Sequence, residues 1–191
     1  EDILHNAQII PSIPFSIPYK GELVVDGEII CKWDDFKTFE EEYKNPRNFA
    51  AGSIRLLSAK ECGLRKLTFV AWDVIKGFDD IKYVSDKLDK LDEMNFITCP
   101  SFIVSGERIT AETLQEAIDE LKDTASVLQY PIDGIVFKMN DIAYGKSLGV
   151  TTHHFKNALA YKFYDEMFET ELLDIEWTMG RTGVLTPVAI F

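Results

Sequence analysis

Strand-forming and helix-forming stretches follow one another irregularly along this chain, and their order limits the folds available to it. Runs typical of β-strands occupy residues 24–30, 67–75, 134–139 and 158–163. The apolar residues at helical spacing between them are Phe36, Phe39 and Tyr43, then Leu88, Leu91 and Met94, then Leu114, Ile118 and Leu121, the last set in a helix that Thr110 would cap. A parallel sheet requires a regular strand–helix–strand order, which this chain lacks. The order therefore predicts an α+β fold built around antiparallel sheet.

The pattern changes near residue 171. Short strand-like runs follow, separated by a Gly-Arg-Thr-Gly turn at residues 180–183. We therefore expect one domain over residues 1–170 and the first strands of a separate β module over residues 171–191.

Composition narrows the class of protein. The formal net charge is -12, which argues against a free-standing nucleic-acid binder, because phosphate binding usually depends on clustered Lys and Arg. The chain has no apolar run near the roughly 20 residues that span a bilayer, so we expect no membrane association. The three cysteines are far apart and include no C-x-x-C pair. This pattern favours a reducing, cytoplasmic location over a disulfide framework or a zinc site.

Three of the predicted strands carry one charge each on a face that a protein core would keep dry. These charges are Glu28, Lys138 and Lys162, and Val136 shares a strand face with Lys138. One interpretation is an ordinary solvated surface. The other is a cleft in which the lysines bind phosphate oxygens and the carboxylate binds a ribose or a metal. Spacing alone leaves both open.

The segment NPRNFAAGSIR, residues 45–55, predicts a helix that begins with an Asn-Pro cap. In such a helix Asn48, Gly52 and Arg55 fall on nearly one line. The small residues would let a ligand approach the backbone closely. They would equally let the helix pack tightly against a neighbour, with Arg47 and Arg55 solvated.

Several blocks of the chain together resemble the NAD-dependent DNA ligases. The blocks are GELVVDGEI, NPRNFAAGSIR, LTFVAWDV, YPIDGIVFK, ALAYKF and MGRTGVLTPVA, in that family's order and covering nearly the whole chain. The DG…K and YKF blocks recur in other covalent nucleotidyltransferases, whereas the NPRN and GRTG blocks are more specific. The resemblance implies a nucleotidyltransferase (adenylation) fold with antiparallel sheets, followed by the start of an OB-fold.

The resemblance also implies a three-step reaction. A lysine attacks the adenylyl phosphorus of NAD, the AMP passes to the 5′-phosphate of a DNA nick, and the 3′-hydroxyl then displaces AMP and seals the strand. Mg²⁺ assists the displacements. The partner would be nicked double-stranded DNA, in repair and replication, and we expect a monomer.

Matching by position implies a role for eight residues. The catalytic ones are Glu28, Asp133, Lys138 and Lys162, and the cofactor-binding ones are Trp72, Val136, Arg47 and Arg55. Trp72 would stack on adenine, with Val136 a candidate for the other side of the ring. The two arginines would contact phosphates of the cofactor or the DNA. The resemblance identifies no metal ligands.

The chain departs from the family pattern at its most important motif. The nucleophilic lysine belongs to a K-x-D-G motif, and these 191 residues contain none. The near misses KLDK and KLDE, residues 87–93, lack the glycine and are interpreted as the solvated face of a helix. We expect the motif upstream and expect this chain alone not to react with NAD. Asp26 and Ala125 also stand where the family has arginine.

Two alternatives remain. One is a non-catalytic nucleotide-binding domain of the same fold. The other is an ATP-dependent ligase or capping-type nucleotidyltransferase, which would leave the NPRN and GRTG blocks unexplained.

Overall fold

The computed structural model describes residues 2–106, 109–151, 155–163 and 169–191. Its strands are β1 (Val24–Ile30), β2 (Thr68–Lys76), β3 (Gly134–Lys138), β4 (Ala158–Lys162), β5 (Asp174–Met179) and β6 (Leu185–Ile190). Its α-helices are α1 (Leu4–Ala7), α2 (Trp33–Phe36), α3 (Pro46–Ser53), α4 (Ala59–Leu64), α5 (Val84–Asp92), α6 (Ala111–Leu128) and α7 (Ile142–Ser147), and a 3₁₀ turn (Lys37–Phe39) follows α2.

The described strands form three two-stranded sheets, β1–β2, β3–β4 and β5–β6. Each pair is antiparallel. The predicted mixture of helices with antiparallel sheet is therefore confirmed.

Two predicted helix starts are confirmed by their hydrogen bonds. The side chain of Asn45 accepts from the Asn48 amide at 2.8 Å, and Pro46 is the first residue of α3. Thr110 caps α6, where its hydroxyl and that of Thr113 form a reciprocal capping box. These short-range bonds satisfy backbone donors that a helix start would otherwise leave unpaired.

An aromatic cluster around Phe49 holds α3 against the chain before it. Phe49 is fully buried. Its ring stacks on Phe39 at 4.5 Å and meets the edges of Phe36 and Tyr43 at 5.8 and 5.0 Å. The guanidinium of Arg65 covers the Phe39 ring at 4.6 Å. One face of α3 is thereby committed to packing, and the opposite face is left for solvent or a ligand.

A second apolar cluster fills the space between β2 and α5. Its buried members are Ala71, Val74, Phe78, Leu88, Leu91 and Met94. The predicted solvated face of α5 is wrong for one residue: Lys87 is only 9% exposed, and its ammonium donates to the Gly77 carbonyl at 2.9 Å. The long methylene stem of a lysine lets it lie along apolar surface while the ammonium meets a polar partner.

The last two strands form a hairpin through the predicted turn. The Gly180 amide donates to the Val184 carbonyl, and Gly183 has a φ of +81°, which glycine adopts without strain. Apart from Ile190, every residue of β5 and β6 is exposed. A domain boundary at 170/171 and an OB-fold beginning here remain predictions. No helix in the described part of the chain is both long and apolar enough to cross a lipid bilayer.

Candidate functional site

A one-residue register shift in the β1–β2 sheet sets the direction of Trp72. Asp26 pairs with Asp73 and Gly27 pairs with Ala71, which leaves Trp72 as an extra residue in β2. Such a bulge breaks strict alternation of side chains. Ala71 and Val74 are both buried in the α5 cluster, whereas Trp72 is 41% exposed and Asp73 is half-buried. Trp72 and Asp73 therefore both point away from that core.

Glu28 lies on the same side of the sheet as this pair. It is exposed and sits opposite Val70, two residues before Trp72. Among the described residues, no hydrogen bond or ion pair engages its carboxylate. The bulge thus places an aromatic ring and an available carboxylate on one face of the β1–β2 sheet.

The register of the β3–β4 sheet places two lysines on one face, an arrangement that spacing alone had left open. Val136 faces Ala160, Lys138 faces Ala158, and Lys162 faces Gly134 in the antiparallel register. Directly opposed residues point to the same side of a sheet, and alternate residues of a strand share that side. Val136 is 63% exposed. A face with two cations and only small or aliphatic neighbours has room for an anionic group.

An ion pair joins the two sheets, and the sequence did not reveal one of its members. The Lys138 ammonium donates to Asp73 Oδ2 at 2.5 Å, and both side chains are 26% exposed. The nearest hint in the sequence is that Asp73 interrupts the apolar run of residues 67–75 with a charge. The spacing of residues in the sequence does not reveal the partner of Asp73, because Lys138 lies 65 positions away along the chain.

A second group of charges forms around Asp133, just before β3. Lys162 donates to Asp133 Oδ2 at 2.8 Å, and the Arg47 guanidinium lies 3.8 Å from the same oxygen. The hydrogen bond from Lys162, together with the positive charges of Lys162 and Arg47, lowers the pKa of Asp133 below its ordinary value and outweighs the opposing effect of burial. Three of the predicted site residues therefore come together.

The remaining arginine, Arg55, lies just beyond the C-terminal end of α3. Asn48, Gly52 and Arg55 are all exposed, while Phe49 and Ser53 are buried. Within the described residues, no ion pair connects Arg55 to the Asp133 group. The helix thus packs on one face and exposes Asn48 and Gly52 on the other, but it ends at Ser53, so the predicted helical line that was to include Arg55 is only partly formed.

Ala125 lies buried on α6, beside Val70 and Tyr130. The nearest base, Lys122, places its ammonium 4.6 Å from the centre of the Phe163 ring.

The described residues include no group of three or more His, Cys, Asp or Glu side chains able to hold a metal ion. Magnesium does not require such a group, because it is often bound through one or two carboxylates together with substrate phosphates. Glu28 and Asp26 are both exposed carboxylates on this face, and within the described residues neither has a hydrogen-bond or ion-pair partner.

Comparison with known proteins agrees with the resemblance seen in the sequence. The family model for the NAD-dependent DNA ligase adenylation domain matches residues 1–166. Proteins named DNA ligase from Lachnoclostridium phytofermentans and Nitratiruptor sp. are 35% and 37% identical to the chain, over its whole length. One from Bacillus pumilus is 38% identical, also over the whole chain. The chain spans about 30% of the length of these relatives.

Proposed function

Because this chain belongs to the NAD-dependent DNA ligase adenylation domain family, we propose that it supplies the nucleotide-binding site of an enzyme that takes AMP from NAD and uses it to seal nicks in DNA. The observation that carries the proposal is the shared face of Lys138 and Lys162 on the β3–β4 sheet, joined through the Lys138–Asp73 ion pair to the segment with Trp72. This arrangement suits a ligand that has a flat ring and a phosphate.

We infer a division of labour among the eight residues. Trp72 offers its exposed ring for stacking on adenine, and Val136 offers an aliphatic surface for the other side. Lys138 and Lys162 stabilise the negative charge that spreads over the phosphoryl group as it is transferred. Asp133 holds Lys162 and Arg47 together, and Arg55 adds positive charge just beyond the C-terminal end of α3.

Glu28 suits either of two roles on the same face. Its carboxylate can accept hydrogen bonds from a ribose. It can equally hold Mg²⁺ together with phosphate oxygens of the substrate, an arrangement that magnesium favours. Mg²⁺ would there neutralise charge on the phosphates.

Contact with nicked DNA would depend on local positive charge, since the chain as a whole carries a net charge of -12. Positive groups that could supply it are Arg47 of α3, Arg55 just beyond α3, and the two lysines of the β3–β4 face. We further propose that the protein acts as a monomer in the cytoplasm, where a reducing environment keeps its three thiols free.

Transfer of label from NAD tests the proposal. The 191-residue chain, incubated with Mg²⁺ and NAD labelled in its adenylyl phosphate, should acquire no covalent AMP because it lacks the K-x-D-G lysine. A chain extended at its N-terminus with an upstream segment that carries a K-x-D-G lysine and a module for recognising nicotinamide mononucleotide should become labelled. Covalent labelling of the 191-residue chain would contradict the absence of a nucleophile.

Substitutions in the extended chain test the residue roles. Lys138→Ala and Glu28→Ala should each abolish nick sealing, whereas Lys146→Ala, which removes an exposed lysine of α7, should leave it unchanged. Nick sealing by Lys138→Ala at the wild-type rate would overturn the assignment. If the extended chain binds NAD but never becomes labelled, the non-catalytic nucleotide-binding alternative is favoured.

A further inference from the structure

We propose that Asp73 is a positioning residue that holds the face of β3 carrying Val136 and Lys138 against the bulge carrying Trp72, and so keeps a gap of fixed width for a flat base. This inference rests on the proposed function, because it takes the base to be the adenine of NAD. It adds a residue that neither the motifs nor the family match assigns to the site.

The first step in the argument is the bulge in β2. In a regular strand, Trp72 and Asp73 would point to opposite faces of the sheet. The extra residue between Ala71 and Asp73 lets both point away from the α5 core. Asp73 is therefore the immediate neighbour of the exposed indole and lies on the same side.

The second step is the partner across the gap. Asp73 accepts from Lys138, and Lys138 shares a face with Val136 two residues earlier in β3. The ion pair therefore links Asp73, which is next to Trp72 on one side of the gap, to Lys138, which shares a strand face with Val136 on the other side. A change in this contact alters the separation of Trp72 and Val136 directly.

The burial of the pair supports a positioning role. Both side chains are 26% exposed, whereas the cations of the other ion pairs in the described residues are 43–78% exposed. Exposed pairs hold their geometry weakly because water screens them and their side chains stay mobile. A half-buried pair is screened less and holds its geometry better.

The charge of Asp73 argues against direct contact with phosphate. A carboxylate repels a phosphate and reduces the net charge that Lys138 presents to it. Its contribution to the site is thus the location of Lys138 and of the strand that carries it.

The fold is expected to survive loss of the pair, because the chain after β3 is attached elsewhere. The amides of Val84 and Ser85 both donate to Asn140, each at 2.9 Å. Removal of Asp73 should therefore change the gap without detaching β3.

Calorimetric titration of the 191-residue chain with adenosine and with AMP tests the inference. Adenosine carries no phosphate, so its affinity reports the base site and not the charge on Lys138. Asp73→Ala and Asp73→Asn should each weaken adenosine binding by about tenfold, which corresponds to about 1.4 kcal/mol. The control Asp35→Ala removes a carboxylate of equal exposure, 26%, from the Lys66 pair and should change adenosine affinity less than about twofold.

A charge swap separates positioning from phosphate binding. The double variant Asp73→Lys with Lys138→Asp restores an ion pair of reversed polarity. It should recover adenosine affinity to within about threefold of wild type, while the preference for AMP over adenosine becomes smaller than in wild type, because Lys138 no longer lies on β3 and only Lys162 remains on that face. A residue with a merely structural role would not show this split between the two ligands.

The outcomes separate the two proposals. Thermal unfolding first establishes that Asp73→Ala and Asp73→Asn are folded. If wild type binds adenosine and AMP, and these two variants bind adenosine as tightly as wild type does, the positioning role is wrong and the proposed function stands. If wild type binds NAD, AMP and adenosine no better than the Trp72→Ala variant does, the proposed function is wrong and the positioning role falls with it.

Discussion

The ammonium of Lys162 lies 2.8 Å from Oδ2 of Asp133, and the Arg47 guanidinium approaches the same oxygen. Asp133 immediately precedes β3, Lys162 ends β4, and Arg47 lies in the first turn of α3. One carboxylate therefore links the NPRN helix to the β3–β4 sheet.

This relationship predicts the direction in which the pKa of Asp133 is shifted. The hydrogen bond from Lys162 and the nearby positive charges lower the pKa of Asp133 in the folded chain below its value in the unfolded chain. The stability that the pair contributes is thus fully present above about pH 4, the pKa of an unperturbed Asp, and is lost as the pH falls through the lower folded pKa. Titration by carboxyl-carbon NMR should show Lys162→Met raising the pKa of Asp133. The control Lys146→Met should leave it unchanged, and an Asp133 pKa unaffected by Lys162→Met would contradict the pairing.

Phe49 should be the most sensitive aromatic position in the first part of the chain. It is fully buried and contacts three other rings, so Phe49→Ala leaves a cavity and should lower the free energy of unfolding by about 3–5 kcal/mol. Phe15 is 93% exposed, and Phe15→Ala should change the free energy of unfolding by less than about 0.5 kcal/mol. Urea unfolding measures both, and similar values for the two would refute the packing around α3.

The cap of α3 can be tested at Asn45. Its side chain accepts from the Asn48 amide, so Asn45→Ala leaves that donor without a protein partner and should cost about 1 kcal/mol. Asn45→Asp retains an acceptor and adds a negative charge at the helix N-terminus, so it should preserve stability. Urea titrations should give wild type and Asn45→Asp similar free energies of unfolding, and both should be higher than that of Asn45→Ala. An alanine variant as stable as wild type would show that the cap contributes nothing.

Two glycine substitutions should have opposite effects on stability. A Cβ added to Gly27 would lie 2.5 Å from the carbonyl oxygen of Val70, so Gly27→Ala forces the β1–β2 bulge apart and should cost about 1–3 kcal/mol. A Cβ added to Gly52 meets nothing closer than 3.6 Å, and Gly52→Ala should stabilise α3 by about 0.5–1 kcal/mol. Thermal unfolding shows whether each substitution raises or lowers stability. A Gly27→Ala variant as stable as wild type would contradict the register at the bulge.

Local features of this protein could be read directly from the sequence. The strands β1, β3 and β4, the caps at Asn45 and Thr110, and the 180–183 turn all depend on residues that are neighbours in the chain. The shared face of Val136 and Lys138 follows from the two-residue period of a strand. Residue types and the order of blocks were enough to indicate the family, and the family match agrees.

The tertiary structure decided which side chains meet and which are buried. Strict alternation would have placed Trp72 and Asp73 on opposite faces, and only pairing with β1 shows the extra residue that puts them on one side. The spacing of α5 favoured a solvated Lys87, but the carbonyl of Gly77 gives its ammonium a buried partner. Asp73 reaches Lys138 across 65 positions. Periodicity constrains only the direction of a side chain relative to its own element, whereas contacts between elements depend on how the whole chain packs.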